Sequence, residues 1–374
     1  HLLEKITWWT TLKATELVIK SSTVVNGKSK KKVTRLDFKS SPQDWARGKP
    51  RMSQWKYPLT TGELILWIGI RMRMGLLNKK RVSHYFSDIP GVGDPIIKAA
   101  MKEKRFLHIS SCLSFARPSA SSGWAKFQHV DSVVRAACRA AVGITQHLAI
   151  DESMIKCFSR YCSWKQFMLR KPIKTGIKVC ALVLSIGFLY DWHVFRGRSD
   201  PLSGKNTMYK LINDIFLTTN FNNCGCILFC DAAFTSIKLF RKLHTRGIYA
   251  VGPMNANKPE KGGDGNSWPH QTFKKGDTEY LARGWDRVAY SKLDNGGWMQ
   301  ATVWRDNKFV KLLNTVYIVD GVRTVQRWVK TAAQYVTISA RLVLTMYQKH
   351  MGHVDRMDKN VALCDIRLRR CKLR

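Results

Sequence analysis

Hydrophobic positions change their period once along the chain, and the change divides it. Thr60 and Glu63 stand three apart ahead of Leu64, Trp67 and Ile68, the spacing of a helix N-terminus closed by a capping box, and Gly75 sits where that helix would stop. Helical recurrence continues over residues 82–86, 95–106 and 131–142, predicting a basic first stretch and then a helical region within residues 1–144. After Thr145 the pattern shortens to strand-like runs: 148–150 leads into Asp151, 177–186 and 188–195 meet at Gly187, and 226–230 leads into Asp231. Thr235 or Ser236 then caps a helix through Ile237, Phe240 and Leu243 that stops at Gly247, and a short strand follows at 248–251. Residues 252–298 are rich in Gly, Asn and Lys and read as loops or an inserted subdomain. Strands resume at 299–304, 309–313 and 315–319, and the last fifty residues read as largely helical. The alternation predicts an α/β core whose first part is 145–251 and whose last part is 299–374, interrupted by the 252–298 insertion.

Composition adds a partner to this outline. The 374 residues carry 63 Lys+Arg against 26 Asp+Glu, a formal charge of +37, with 45% hydrophobic residues. That apolar content excludes a disordered tail, and the length predicts two or three folded units. A folded body so positive repels itself unless a polyanion screens it, so nucleic acid leads, with a membrane surface or merely solvated basic faces as the alternatives. The most apolar stretch, 179–190, contains Ser185 and Gly187 and is too short to span a bilayer, which needs about 20 residues. The chain starts at His1 with no basic-then-apolar leader pattern, so no secretory signal is expected. Ten cysteines are scattered without facing CxxC units, which predicts reduced thiols and no zinc site. The cluster at 27–32 reads as a nuclear address or a solvated loop.

In so basic a chain the positions of the acids are informative. Asp151 and Asp231 each follow an apolar strand-like run, where a rigid backbone can aim a side chain into a shared site. From Gly321 to Arg374 there are 12 Lys+Arg and three acids, and two of these, Asp355 and Asp358, share a helix face at i, i+3. Clustered carboxylates are what hard Mg²⁺ or Mn²⁺ requires, and two such ions can clamp a phosphodiester displacement. Each Asp alone reads equally as a turn cap or an ion-pair partner. From Glu152 through Lys178 there are seven Lys+Arg and one acid, with Trp164 and Phe167 interleaved. Such a stretch can neutralise phosphates and stack on bases, or simply cover a core with basic side chains.

Several ordered blocks carry a resemblance. They are Leu148-Ala149-Ile150-Asp151-Glu152; Lys165-Gln166-Phe167-Met168 with Arg170-Lys171-Pro172-Ile173-Lys174 and Gly176-Ile177-Lys178; Asp231 with Phe234-Thr235-Ser236; and Tyr347 through Met351-Gly352 and Val354-Asp355-Arg356-Met357-Asp358. Trp304-Arg305-Asp306-Asn307-Lys308 with Leu312-Leu313-Asn314-Thr315, and upstream Leu59-Thr60-Thr61-Gly62-Glu63-Leu64 with Arg105-Phe106, extend them over most of the chain from about Trp55. This set resembles the piggyBac transposases, cut-and-paste DNA transposases with an RNase H-like catalytic core. The resemblance implies a mixed-sheet RNase H-like fold with a helical N-terminal region and a β/loop-rich insertion before Asp355. It also implies a catalytic triad of Asp151, Asp231 and Asp355 holding two Mg²⁺ (or Mn²⁺) ions, Asp358 as a further metal-side acid, and DNA strand cleavage and transfer. Lys165, Arg170, Lys171, Lys174, Lys178 and Arg356 are the expected DNA contacts. Double-stranded DNA, as transposon ends and target, a homodimer and the nucleus are the expected partner, assembly and location, with no membrane.

The departures are as specific. Ala232 and Ala233 stand where the family has Asn and an aromatic, Gly352-His353 replaces a Gly-Gly pair, Lys359 replaces Gln, and Thr175 replaces a Trp. His353 is expected to need a backbone angle that glycine accepts easily and to bring an imidazole near the site. The family's downstream helices and cysteine-rich zinc module are missing from the sequence, so no zinc is expected. These features leave a rival: a decayed or domesticated DNA-binding protein without catalysis. An RNA-binding module is a third reading, with no dedicated motif.

Overall fold

The computed structural model describes residues 2–23, 58–116, 123–157, 159, 162–169, 171–204, 207–254, 281–316 and 321–364. The basic cluster at 27–32 and Arg170 lie outside the described residues. The chain divides into two units, residues 1–137 with 360–374, and residues 138–359. No helix among the described residues is long and apolar enough to cross a membrane.

The first unit is helical: α1 (Leu2–Thr23), α2 (Thr61–Leu77), α3 (Val82–Tyr85), α4 (Pro95–Ala100), α5 (Glu103–Cys112) and the start of α6 (Gln128–Ala141). The expected capping box forms, with the Glu63 N–H donating to Thr60 Oγ1 at 3.1 Å and the Thr60 N–H to Glu63 Oε2 at 3.3 Å. Gly75, expected as the stop, is instead a buried residue inside α2, and Asn78 takes the left-handed cap at φ 46°. The single helix expected over 95–106 breaks in two because Met101 turns extended (φ −160°, ψ 145°) to bury its side chain. Leu64, Ile70, Ile97, Phe106 and Ile109 form the core between these helices.

The second unit is built on a nine-stranded sheet ordered β2-β3-β1-β5-β6-β9-β8-β7, with β4 also on β3. Its strands are β1 (His147–Lys156), β2 (Lys165–Phe167), β3 (Thr175–Leu184), β4 (Leu189–Val194), β5 (Ile227–Cys230), β6 (Tyr249–Pro253), β7 (Asp286–Lys292), β8 (Trp298–Arg305) and β9 (Phe309–Asn314). β1 and β3 are antiparallel, whereas β1-β5 and β5-β6 are parallel. Gly187 (φ 81°) supplies the left-handed turn that joins β3 to β4. After α7 (Thr207–Lys210) a π-helical turn, Leu211–Phe216, puts Leu211, Ile212 and Phe216 into the main core. α8 (Ile237–Thr245) is capped by Ser236, whose Oγ accepts the Leu239 N–H at 3.2 Å. Leu239, Phe240 and Leu243 of α8 bury against Leu148, Ile150, Leu228 and Cys230 of the sheet.

Part of the 252–298 stretch is the edge strand β7, which pairs with β8 along its length. Two expectations fail here. The expected strand at 315–319 is not seen in its described part, since Thr315 and Val316 lie beyond the end of β9. The described part of the last fifty residues is helical only in its second half: β10 (Val322–Val329) and β11 (Gln334–Arg341) form a separate hairpin before α9 (Leu342–His350) and α10 (His353–Leu363). Alternation wins over helical spacing there, because Ile338 and Ala340 turn inward to pack with Trp304 and Leu312 while Thr337 and Ser339 face out.

Leu228 is fully buried in the parallel centre of the sheet. Leu228→Ala is expected to cost about 2–5 kcal/mol in denaturant unfolding of the second unit, and Thr324→Ala on the open hairpin face within about 0.5 kcal/mol of nothing.

Candidate active site

The site starts from strand register. In the parallel β1-β5 pair Ile150 lies opposite Cys230, so the next residue of each strand is an acid, Asp151 and Asp231. Adjacent strands run about 4.8 Å apart, which brings these two backbones side by side. Asp151 does not end its strand as expected: β1 continues to Lys156 against β3 after β5 has stopped at Cys230. Ala149, Asp151 and Ser153 share one face of β1 by alternation. On that face Val354 and Met357 of α10 pack against Ala149, Ala181 and Val183. The two alanines give the helix a close seat, and Asp355 and Asp358 ride on it. Ser153 Oγ donates to Asp358 Oδ1 at 2.6 Å, fastening α10 to the strand that holds Asp151.

The carboxylates sense one another. Burial pushes the Asp151 carboxyl up, and the charges of Asp231 and Asp355 add to this, while the Glu152 N–H and Lys171 pull the other way. Burial also raises Asp358, with Asp355 adding and the Ser153 hydrogen bond and Lys171 opposing. Asp151 Oδ1 accepts its neighbour's N–H at 2.6 Å, as Asp231 Oδ1 accepts that of Ala232. Among the described residues none of the four acids is in an ion pair, although Asp94, Asp191, Asp286 and Asp306 each have an arginine. Four like charges with free oxygens form a donor set whose chemistry fits a hard divalent cation. As placed, however, no three acid, His or Cys side chains among the described residues stand close enough together to hold an ion.

The basic segment folds as a hairpin on the outer edge of β3. β2 pairs with Thr175–Ile177, and the Met168 N–H donates to Lys174 O at 2.8 Å to close the turn. Gly176 lets this edge approach β1, since a Cβ there would lie 2.3 Å from Ile155 O. Its lysines divide by surroundings. Lys174 is exposed, and Lys165 Nζ donates to Ser159 O at 3.0 Å. Lys171 Nζ donates to Glu152 O at 2.9 Å, close enough to Asp151 and Asp358 to affect both. Lys178 is held by Glu152 and lies 5.0 Å over the Phe195 ring, so its charge is engaged within the unit. Arg356 is exposed on α10, one residue past Asp355.

The sequence reading passed over Ser153 and left Tyr347 without a role. Ser153 is two residues beyond Asp151, so strand alternation alone puts it on the site face. The Tyr347 phenol is pushed up by burial and then by Cys230, Asp231 and Asp151, which places α9 beside the same acids. His353 does not take a left-handed backbone as expected; it begins α10, and its ring is buried.

A central strand paired antiparallel on one side and parallel on the other, with acids leaving adjacent parallel strands and two more on a covering helix, defines an RNase H-like core. A family profile described as Transposase IS4 matches residues 21–372, and the chain belongs to that family, in its piggyBac-type branch. Human PiggyBac transposable element-derived protein 2 is 24% identical over 330 residues, covering 84% of this chain and 52% of the relative. Human PiggyBac transposable element-derived protein 3 is 22% identical over 311 residues, covering 81% and 50%. The chain thus spans about half the length of the curated relatives it matches. The fold is similar to that of a piggyBac transposase solved by cryo-EM as a synaptic complex with hairpin DNA, with a TM-score of 0.68 at 16% identity over 97% of this chain and 66% of that one.

Ser153→Ala removes a hydrogen bond to the charged form of Asp358, so its carboxyl is expected to titrate higher still, as carbon-detected NMR of the side chain would read. An unmoved Asp358 would mean that the Ser153 contact is not made in solution.

Proposed function

We propose that this chain is the core of a metal-dependent DNA transposase, cutting and joining phosphodiester bonds of duplex DNA. The observation that carries the reading is that four carboxylates, in no ion pair among the described residues, lie near enough for Asp151 to feel Asp231 and Asp355 and for Asp358 to feel Asp355 in a chain of charge +37, two of them placed by the β1-β5 register. Asp151, Asp231 and Asp355 would hold two Mg²⁺ or Mn²⁺ ions, with Asp358 beside them. Bound there, the ions would activate water or a 3′-hydroxyl and stabilise the leaving oxygen. The protein's own part is to bind and orient. Lys171, tied to Glu152 O, supplies a resident positive charge next to Asp151 and Asp358. Lys174, Lys165 and Arg356, with Arg170 outside the described residues, are assigned to phosphates on the rim. Lys178 is better assigned to holding Glu152. A transposase-DNA complex as structural neighbour supports DNA as the partner; a homodimer and nuclear residence are inferred from the resemblance.

A second reading, DNA binding without chemistry, is favoured by Ala232 and Ala233. Behind Asp231 they leave only methyl groups, and the carboxylate is braced by the Ala232 N–H alone among the described residues. The two readings separate in a nicking assay on linear duplex with Mg²⁺ or Mn²⁺. The transposase predicts nicks that Asp151→Ala abolishes, whereas binding without nicks in both proteins selects the second reading. In either case Lys174→Ala is expected to lower the salt slope of duplex binding by about one, and an unchanged slope removes Lys174 from the interface.

A further inference from the structure

Beside the acids lies a group of aromatic rings that neither reading uses. His147 of β1, Phe229 of β5, His350 at the end of α9 and His353 at the start of α10 meet in one place. The His350 ring stacks on His147 with centroids 4.0 Å apart and planes 6° from parallel. On Phe229 it stacks at 5.0 Å and 29°. Its Nδ1 is 3.4 Å from Nε2 of His353, the rings meeting at 66°. His147 lies four residues before Asp151, Phe229 two before Asp231, and His353 two before Asp355.

We propose that His350 is a positioning residue of the acidic site, its ring packed against one residue from each of the three elements that carry Asp151, Asp231 and Asp355. The inference rests on the reading of those acids as the site. His147, Ala149 and Asp151 alternate onto one face of β1, and Phe229 and Asp231 share the matching face of β5, so the stack and the acids occupy the same layer. Other contacts of α10 reach fewer supports: Ser153 meets it from β1, and the Val354-Met357 seat is made by β1 and β3 with Leu189 of β4. His353 has a buried Nδ1 without a hydrogen-bond partner among the described residues. That cost is offset if the ring has a packing task. Burial, then His147, His353 and Lys349, bring the His350 imidazole down to about 4, so the stack is one of neutral rings. The role is indirect: His350 makes no hydrogen bond or ion pair with the acids among the described residues, and it acts by fixing the spacing of their supports.

The test uses the full chain with His350→Ala and His350→Phe, the second keeping a flat ring against His147 and Phe229. Amide hydrogen exchange over residues 353–359 is expected to speed up about tenfold or more in His350→Ala, with exchange in α2 unchanged. Mn²⁺ affinity, read by electron paramagnetic resonance, is expected to fall about tenfold or more. His350→Phe is expected to restore both to within about threefold of wild type, a rescue that general loss of stability does not produce. Wild-type exchange at 353–359 in His350→Ala, or no rescue by the Phe variant, overturns the proposal. A wild type that takes up no Mn²⁺ sinks the two-ion reading, and the exchange comparison then decides on His350 alone. If His350→Ala does not fold, the wild-type His350 Hε1 resonance decides: ring-stacked carbon-bound protons move upfield, and a free-imidazole position refutes the stack.

Discussion

Parallel pairing of β1 with β5 is the constraint on which the site depends. Two strands running the same way in register deliver Asp151 and Asp231 at one edge, and a slip by one residue would turn one carboxylate to the far face. The register is held by burial on both sides. Leu148, Ile150, Leu228 and Cys230 pack toward α8, while Ala149 and Phe229 are covered on the other face. The third and fourth acids have no strand to fix them and depend on how closely α10 approaches the sheet. Ala149 and Ala181, with little side chain, set that approach, and one hydrogen bond from Ser153 sets the rotation of the helix.

Charge works against this arrangement and gives it its character. Elsewhere in the chain carboxylates are spent on structure: Asp94 caps α4 and binds Arg73, Asp306 joins Arg283 to Arg327, and Asp200 meets His193. Among the described residues the four site acids are in no ion pair, even though cations outnumber acids 63 to 26. Burial raises Asp151 and Asp358, so keeping both ionised calls for a nearby positive charge. Lys171 supplies part of it from the turn of the basic hairpin. The turn that presents Lys174 outward therefore also presents a cation inward, coupling the basic rim to the acids through a few residues.

Much of this was legible in the sequence, for reasons that can be stated. The capping box at Thr60, the Ser236 cap and the Gly187 turn are local chemistry, and local chemistry survives folding. Asp151 and Asp231 were visible because they follow apolar runs, and Asp355 and Asp358 because they stand three apart in a stretch poor in acids. What stayed hidden was decided at a distance. Met101 breaks a helix to reach a core, β1 runs past Asp151 because β3 continues to pair with it, and β7 is a strand because β8 lies beside it. The β10-β11 hairpin was obscured by its mixture of Arg, Thr and Val, although its period of two was there to be seen. The Lys178-Glu152 pair and the Ser153-Asp358 bond join residues whose nearness only the sheet and α10 create.

Asp231 is less firmly supported than Asp151 and Asp358. Asp151 is half-buried, held by the Glu152 N–H and faced by Lys171, and Asp358 is bonded to Ser153. Asp231 is exposed, and its brace is the N–H of the next residue. Two alanines follow, offering neither a polar atom nor a ring to limit its rotamers. A carboxylate free to turn loses side-chain entropy when it ligates, at a cost of up to about 1 kcal/mol on the scale of buried side chains. That amount would weaken an ion site without abolishing it. On the two-ion reading, binding would turn in part on how firmly Asp231 is aimed, and its backbone at least follows a fully buried Cys230 in the centre of the sheet.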